Sequence, residues 1–256
     1  MRVLVFTPVL RGRWFDLSSK AMFRMLPLED GGQVEYLQLV GGDTGEHPFD
    51  NITRKCNEAR DLVLRMGYDA LMIVEGDVIV PPEALRRLVA VEADVAYGLV
   101  IHTHGWPTWN ACCELKDEAP GAIPISLFPE MAREAWGKVI EVDGVGSSCM
   151  LIHRRVLEAL TFWGPYRATP AEFARFQRSC DWFLAQDCKE AGFVQKNDTR
   201  VICGHIETDT IPRILWPDIT REGFYRSEVI GPMPKDILER VQNEPYTNAG
   251  FAAIPP

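Results

Sequence analysis

The sequence predicts a single α/β domain built on a mostly parallel sheet. Through the first hundred residues, short apolar segments rich in valine and isoleucine alternate with amphipathic segments. Continuously apolar strands are typical of a sheet that helices cover on both faces. The chain has 256 residues, of which 46% are hydrophobic and 25% charged, so it can bury a sizeable core.

The first half of the chain predicts the element order β-α-β-α-β-α-β. The strands are expected at residues 2–6, 34–40, 70–74 and 94–101, and the helices at 14–26, 51–66 and 81–90. The second of these helices has the clearest pattern, because one apolar stripe runs along it between Asn51, a favourable N-cap, and Gly67, a natural C-terminal residue. In such sheets, ligands bind beyond the carboxyl ends of the strands.

The second half of the chain is less regular, and residues 102–137 show weak periodicity. Strands are expected at 138–142, 149–152 and 193–203, and helices at 154–160, 169–178, 181–191 and 235–242. We therefore expect a main domain over residues 1–211, with a nucleotide-binding half at 1–101 and an acceptor half at 102–211. Residues 212–256 are expected to form a C-terminal extension.

Charge and cysteine content exclude several classes of partner. The net charge of −9 and the absence of a basic stripe argue against nucleic acid, although a metal ion and a few arginines can still hold a small anion. No apolar run approaches the roughly 18 residues of a membrane-spanning helix. The seven cysteines are odd in number and lack framework spacing, which predicts reduced thiols and a cytoplasmic location.

An acidic triplet, Glu75-Gly76-Asp77, follows the apolar strand expected at 70–74. Residues i and i+2 of an extended segment point the same way, so the two carboxylates can share a hard cation such as Mn²⁺ or Mg²⁺ together with phosphate oxygens. Gly76 lets a ligand approach the backbone closely. The alternative is a strand-end turn with solvated acids, but the position at the end of a buried strand favours a ligand site.

Three stretches of the chain together resemble the GT-A fold glycosyltransferases, particularly their family-2-like group. They are the helix and acidic triplet within 51–90, the small-residue loop, strand and helix at 142–160 (VDGVGSSCMLIHRRVLEAL), and the acidic helix start at 179–193 (SCDWFLAQDCKEAGF). The resemblance covers about residues 1–207. It implies a GT-A (Rossmann-like) fold and a hexosyltransferase-type transfer from a nucleoside-diphosphate sugar, UDP- or GDP-linked, to a hydroxyl acceptor.

The same resemblance implies roles on the donor side. Asp77 matches the acid that binds the metal, and Glu75 matches the first acid, which contacts ribose or metal; here a longer Glu replaces the usual Asp. His205, after a glycine, resembles a late histidine that completes the metal site; the alternative is a structural histidine at a strand end. The positions implied to contact the nucleotide are Thr7, Pro8, Arg11, Asp43, Arg54, Asn57, Glu75 and Gly76.

On the acceptor side, Asp181 matches the general base of inverting members. The usual Glu-Asp pair is incomplete, since Cys180 precedes Asp181, and the alternative is that Asp181 only caps the helix it starts. A retaining mechanism therefore stays open. Gly146 and Ser147 are expected to frame the donor sugar or the acceptor. Trp106, Trp109 and Trp136 are expected to stack on an acceptor or, alternatively, to pack in the core.

Other chemistries have weaker support in the sequence. His102 and His104 precede Cys112-Cys113, but the Cys-x-x-Cys spacing typical of zinc sites is missing. Neither a P-loop nor a G-x-G-x-x-G motif is present, which disfavours ATP hydrolysis and nicotinamide chemistry. A nucleotidyltransferase and a non-catalytic sugar-binding module are the remaining alternatives. The acceptor, whether saccharide, protein or small molecule, stays open.

Overall fold

The computed structural model of the protein describes residues 1–9, 16–29, 31–40, 48–102, 107–114, 122–162, 180–207 and 213–229. In chain order the strands are β1 (Arg2–Val9), β2 (Gln33–Val40), β3 (Ala70–Val74), β4 (Val78–Ile79), β5 (Val95–Leu99), β6 (Ile101–His102), β7 (Thr108–Trp109), β8 (Ala111–Glu114), β9 (Ala122–Pro124), β10 (Val139–Glu141), β11 (Gly144–Val145), β12 (Cys149–His153), β13 (Gln195–Ile202), β14 (Gly204–Glu207), β15 (Arg213–Pro217) and β16 (Tyr225–Val229). The helices are α1 (Asp16–Phe23), α2 (Pro48–Met66), α3 (Ala84–Val89), α4 (Pro129–Ala135), α5 (Arg154–Ala159) and α6 (Cys180–Glu190).

A seven-stranded sheet forms the centre of the fold, in the order β10-β13-β5-β12-β3-β1-β2. Strands β2, β1, β3, β5 and β13 run parallel to one another, while β12 runs antiparallel between β3 and β5 and β10 runs antiparallel at one edge. The prediction of a single α/β domain with a mostly parallel sheet is confirmed.

Helices cover both faces of this sheet because alternate side chains of each buried strand point to opposite cores. On β1, Val3 and Val5 join the core packed by α1 and α3, whereas Leu4 and Phe6 join the core packed by α2, α4, α5 and α6. All five side chains of β3 are at most 1% exposed. This double coverage explains the uninterrupted apolar sequence of the strand.

Some predicted boundaries differ from the structure. Helix α2 begins at Pro48, so Asn51 lies inside the helix and is not its N-cap. The single strand expected at 193–203 is two strands, because β13 ends in the large sheet and β14 enters a smaller one. Gly204 begins β14 beside the Trp216 ring, where a Cβ atom would come within 2.8 Å of the indole. The helices expected at 169–178 and 235–242 lie outside the described residues.

The smaller sheet has four strands in the order β16-β15-β14-β4. Strands β15 and β16 belong to the predicted C-terminal extension and were not anticipated as strands. They are joined to the rest of the fold by pairing with β14, in which His205 lies opposite Leu215. On its other side β14 pairs with β4, placing His205 opposite Val78. This pairing draws residue 205 to the acidic triplet.

In the part of the chain that the structure describes, no helix combines the length and apolarity needed to cross a bilayer. None of the seven cysteines, all of which lie in described segments, forms a disulfide.

Candidate functional site

The candidate site lies beyond the carboxyl end of β3, where the chain turns sharply into β4. The N–H of Val78 donates to the Glu75 carbonyl at 3.1 Å and closes this turn. The hydroxyl of Ser18, on α1, donates to the Gly76 carbonyl and fixes the turn from the other side. The acidic triplet is therefore held in a defined conformation, and its two carboxylates have different surroundings.

The Glu75 carboxylate is held by neutral donors. The Ser147 hydroxyl donates to Glu75 Oε1 at 2.9 Å, and the Ser148 hydroxyl donates to Glu75 Oε2 at 3.0 Å. Burial, reinforced by the negative charges of Asp77 and Asp181, raises the pKa of Glu75 to about 7 despite these two hydrogen bonds. Both oxygens of Glu75 are thus used within the protein.

Asp181 reaches the same loop from the start of α6. Its Oδ2 atom accepts the main-chain N–H of Ser147 at 2.8 Å, and its Oδ1 atom accepts the N–H of Trp182 at 2.8 Å. The side chain is buried, and burial raises the pKa of Asp181 although the hydrogen bonds from Ser147 and Trp182 oppose the shift. Because α6 begins at Cys180, Asp181 belongs to the first turn and also contacts the loop beyond the helix.

Asp77 and His205 face each other at the junction of the two sheets. Asp77 Oδ2 lies 3.8 Å from His205 Nε2, and the Asp77 carbonyl accepts the N–H of Ile206 at 2.8 Å. Burial by itself lowers the pKa of His205, but the hydrogen bond and charge of Asp77, with Glu75 and Glu207, raise it overall. The Nδ1 atom of His205 is buried, and no group of the described residues forms a hydrogen bond with it.

The predicted metal ligands do not form a complete three-residue set. Among the residues that the structure describes, no three His, Cys, Asp or Glu side chains are grouped so as to hold a metal ion. Asp77 and His205 nevertheless fit a two-ligand site. One carboxylate and one imidazole suit Mn²⁺, and such ions commonly take their remaining ligands from substrate phosphates and water.

The small-residue loop, residues 144–148, packs against an aromatic ring on each side. A Cβ atom on Gly146 would collide with the His102 ring, and a Cβ atom on Gly144 would come within 2.7 Å of the Trp182 ring. His102 Nε2 also lies 3.1 Å from the Ser148 hydroxyl. The His102 ring occupies the space that a side chain at residue 146 would need, which explains the glycine. The expected role of Gly146 in framing the donor sugar or the acceptor stays a prediction.

His102 and Ser148 were missed as members of the site. The sequence indicates His102 only as a possible zinc ligand, because nothing in its local pattern reveals the contact with Ser148, 46 residues away. Ser148 neighbours the predicted Ser147, and the pair of adjacent hydroxyls was the available signal. Both residues belong to the hydrogen-bonded cluster that surrounds Glu75.

Trp109 is a core residue. Its side chain is 0% exposed, its indole N–H donates to the Phe224 carbonyl at 2.9 Å, and its ring packs 5.6 Å from that of Trp136. A ring with no exposed face cannot stack on an acceptor, so that prediction for Trp109 is wrong and the core alternative is correct.

The residues expected to contact the nucleotide have varied surroundings. Thr7 and Pro8 are buried in β1, and the Thr7 hydroxyl contacts Met22 Sδ at 3.0 Å. Arg54 pairs with Glu58 along α2 at 2.6 Å. The Asn57 amide is bonded to both main-chain polar atoms of Phe162. Their nucleotide contacts remain predictions. Arg11, Asp43 and Trp106 lie outside the described residues.

Comparison with known proteins identifies the fold. No family model and no curated protein matches the chain. The crystal structure of A197 from STIV is similar with a TM-score of 0.53 and 17% identity, over 90% of this chain and 94% of that one. The inositol-1-phosphate CTP transferase from T. maritima aligns with a TM-score of 0.41 and 12% identity, over 81% and 89% of the two chains. The first likeness is consistent with a Rossmann-like α/β fold and shows the fold alone.

Proposed function

We propose that the protein is a metal-dependent glycosyltransferase that moves a sugar from a nucleoside-diphosphate donor to a hydroxyl acceptor. The observation that carries the proposal is the convergence of Asp77, His205 and Asp181 at the carboxyl end of a mostly parallel sheet. This end is where α/β folds bind their ligands. Buried carboxylates with raised pKa values in such a position are characteristic of functional sites.

Asp77 and His205 are the residues that would hold Mn²⁺ or Mg²⁺. The 3.8 Å between Asp77 Oδ2 and His205 Nε2 leaves room for both atoms to ligate one ion. When bound, the ion supplies positive charge that neutralises the diphosphate leaving group.

Asp181 is the candidate general base for an inverting transfer. Its carboxylate accepts the proton of the acceptor hydroxyl while that oxygen forms a bond to the anomeric carbon. The bond from the anomeric carbon to the diphosphate oxygen breaks at the same time, and its electron pair leaves with the nucleoside diphosphate. The main-chain N–H groups of Ser147 and Trp182 orient the carboxylate for this step.

Release of nucleoside diphosphate tests the proposal without knowledge of the acceptor, since a bound donor can transfer its sugar to water. The full chain is incubated with UDP-glucose, UDP-N-acetylglucosamine and GDP-mannose, with Mn²⁺ or with EDTA. We expect release of UDP or GDP from at least one donor in the presence of Mn²⁺ only.

Three other outcomes would overturn the proposal. Formation of a nucleotide sugar and pyrophosphate from a nucleoside triphosphate and a sugar phosphate would indicate a nucleotidyltransferase. Metal-independent donor binding without turnover would indicate a sugar-binding module. Neither binding nor turnover with any donor would remove nucleotide sugars as ligands.

A further inference from the structure

Ser147 lies between the two carboxylates that serve opposite sides of the proposed reaction. Its hydroxyl donates to Glu75, 72 residues away in the chain, and its main-chain N–H donates to Asp181, 34 residues away. The residue is only 5% exposed, so solvent does not compete strongly for either bond. One residue thus holds both the donor-side acid and the candidate base.

The loop around Ser147 is packed on both sides, which holds its hydrogen bonds to Glu75 and Asp181 in place. The Trp182 ring packs on Gly144, and Trp182 directly follows Asp181, so the start of α6 contacts the loop at two points. The His102 ring packs on Gly146 from the other direction. The preceding residues 144–145 form β11, which is hydrogen-bonded to β8. A loop packed on both sides transmits a displacement of one bonded carboxylate to the other.

Ser148 provides an internal comparison. Its hydroxyl binds the other oxygen of Glu75 at nearly the same distance, 3.0 Å, and its carbonyl accepts the Glu75 N–H at 3.1 Å. The other partner of the Ser148 hydroxyl is His102 and not Asp181. Loss of either hydroxyl removes one anchor of Glu75. Only loss of the Ser147 hydroxyl breaks the bond between the Glu75 carboxylate and the residue whose N–H orients Asp181, while the Glu75 N–H stays bonded to the Ser148 carbonyl.

From this geometry we infer that Ser147 is a positioning residue that couples the orientation of Glu75 to that of Asp181. The inference rests on the proposed function, in which Glu75 lies on the donor side and Asp181 is the base. Donor binding against Glu75 then sets the alignment of Asp181 through Ser147. Misalignment of a base by a fraction of an ångström affects the chemical step more than substrate binding.

Steady-state kinetics of donor turnover with Mn²⁺ is the first test. Ser147→Ala should lower kcat about 10- to 100-fold while KM for the donor changes less than about threefold. Ser148→Ala, the matched control, should lower kcat by at most about fivefold, because one neutral hydrogen bond is lost and the link to Asp181 remains. Ser147→Cys replaces the hydroxyl by a somewhat larger thiol, which is a weak donor, and should behave like Ser147→Ala. Wild-type kcat in Ser147→Cys, or equal losses in Ser147→Ala and Ser148→Ala, would overturn the inference.

A substrate-free measurement separates this inference from the proposed function. In ¹³C- and ¹⁵N-labelled protein, Glu75→Gln should shift the Ser147 amide and the Asp181 carboxyl resonances. The change that Glu75→Gln causes in the Asp181 chemical shift should be at least about threefold smaller in the Ser147→Ala background. In the Ser148→Ala background this change should persist. An Asp181 shift that persists without the Ser147 hydroxyl would overturn the coupling. Absence of donor turnover in the wild-type chain would overturn the proposed function alone, because the resonance shifts need no substrate.

Discussion

Asp94, at the amino end of the central sheet, is held in the opposite way to Glu75 and Asp181, the acids of the candidate site at its carboxyl end. At the amino end, Asp94 forms an ion pair with Arg155 and accepts the N–H of Val194 at 2.8 Å. Arg154 donates to the carbonyls of Val63 and Leu64 and so stabilises the C-terminal end of α2. Arginine side chains therefore accompany both Asp94 and the end of α2 in this region.

At the carboxyl end, the acids are oriented mainly by neutral groups. Glu75 is bound by two serine hydroxyls, and Asp181 accepts two main-chain N–H groups. Their pKa values are raised, because hydroxyl and amide donors only partly offset the cost of burying a charge. Raised pKa values of this kind cluster at functional sites. The contrast separates the structural acids from the candidate functional ones.

The largest effect that this contrast predicts is at Asp181. Asp181→Asn should lower sugar transfer or donor hydrolysis by about 10²- to 10⁴-fold, because the amide cannot accept the proton. Donor binding should change by less than about threefold, since the base acts on the acceptor. Single-turnover kinetics and calorimetric titration with the donor measure the two quantities. Wild-type turnover in a folded variant would remove Asp181 as the base.

For metal binding, Asp77 is the candidate ligand and Asp94 is its matched control. Asp77→Ala should weaken Mn²⁺ binding at least about tenfold, because one of two protein ligands is lost. Asp94→Ala should leave Mn²⁺ binding unchanged and lower the free energy of unfolding by about 1 to 3 kcal/mol, because the Val194 N–H and Arg155 lose their partner. Titration followed by the electron paramagnetic resonance of free Mn²⁺ and urea denaturation measure these effects. Equal loss of Mn²⁺ affinity in both variants would contradict the distinction between the two ends.

The first half of the fold was predictable because its signals are local. Strand β3 was predicted at residues 70–74, where the structure has it, since five consecutive apolar residues between polar turns permit few other structures. The position of the acidic triplet at the end of that strand followed directly. Even here the start of α2 was misplaced, because a residue such as Asn51 has the same sequence signal inside a helix as at its cap.

The second half of the site depends on contacts between distant segments. Pairing of β14 with β4 brings His205 to Asp77, and only the structure reveals that β15 and β16 complete this sheet. The His102 ring excludes a side chain at Gly146, a contact that no spacing rule predicts. For Trp109 the sequence favoured a ligand contact that the structure excludes. It is an aromatic residue in an irregular region, and in the folded protein it is fully buried.

The last predicted effect is a pH dependence of stability that arises at Glu75. Because the pKa of Glu75 is raised from 4.5 to about 7 by burial and by the neighbouring acids, the folded state binds a proton more tightly than the unfolded state. The stabilising contribution is therefore complete below pH 4.5 and is lost as the pH rises through 7. The upper limit of this contribution to the free energy of unfolding is about 3 kcal/mol.

The raised pKa of His205 gives a contribution of the same sign, so the pH dependence of the wild type must be compared with that of a variant at position 75. Glu75→Gln retains the shape and cannot titrate, so urea denaturation in EDTA should show a shallower fall in stability than in the wild type across this range. The same slope in both proteins would mean that Glu75 is ionised across this range and that burial does not raise its pKa in the folded protein.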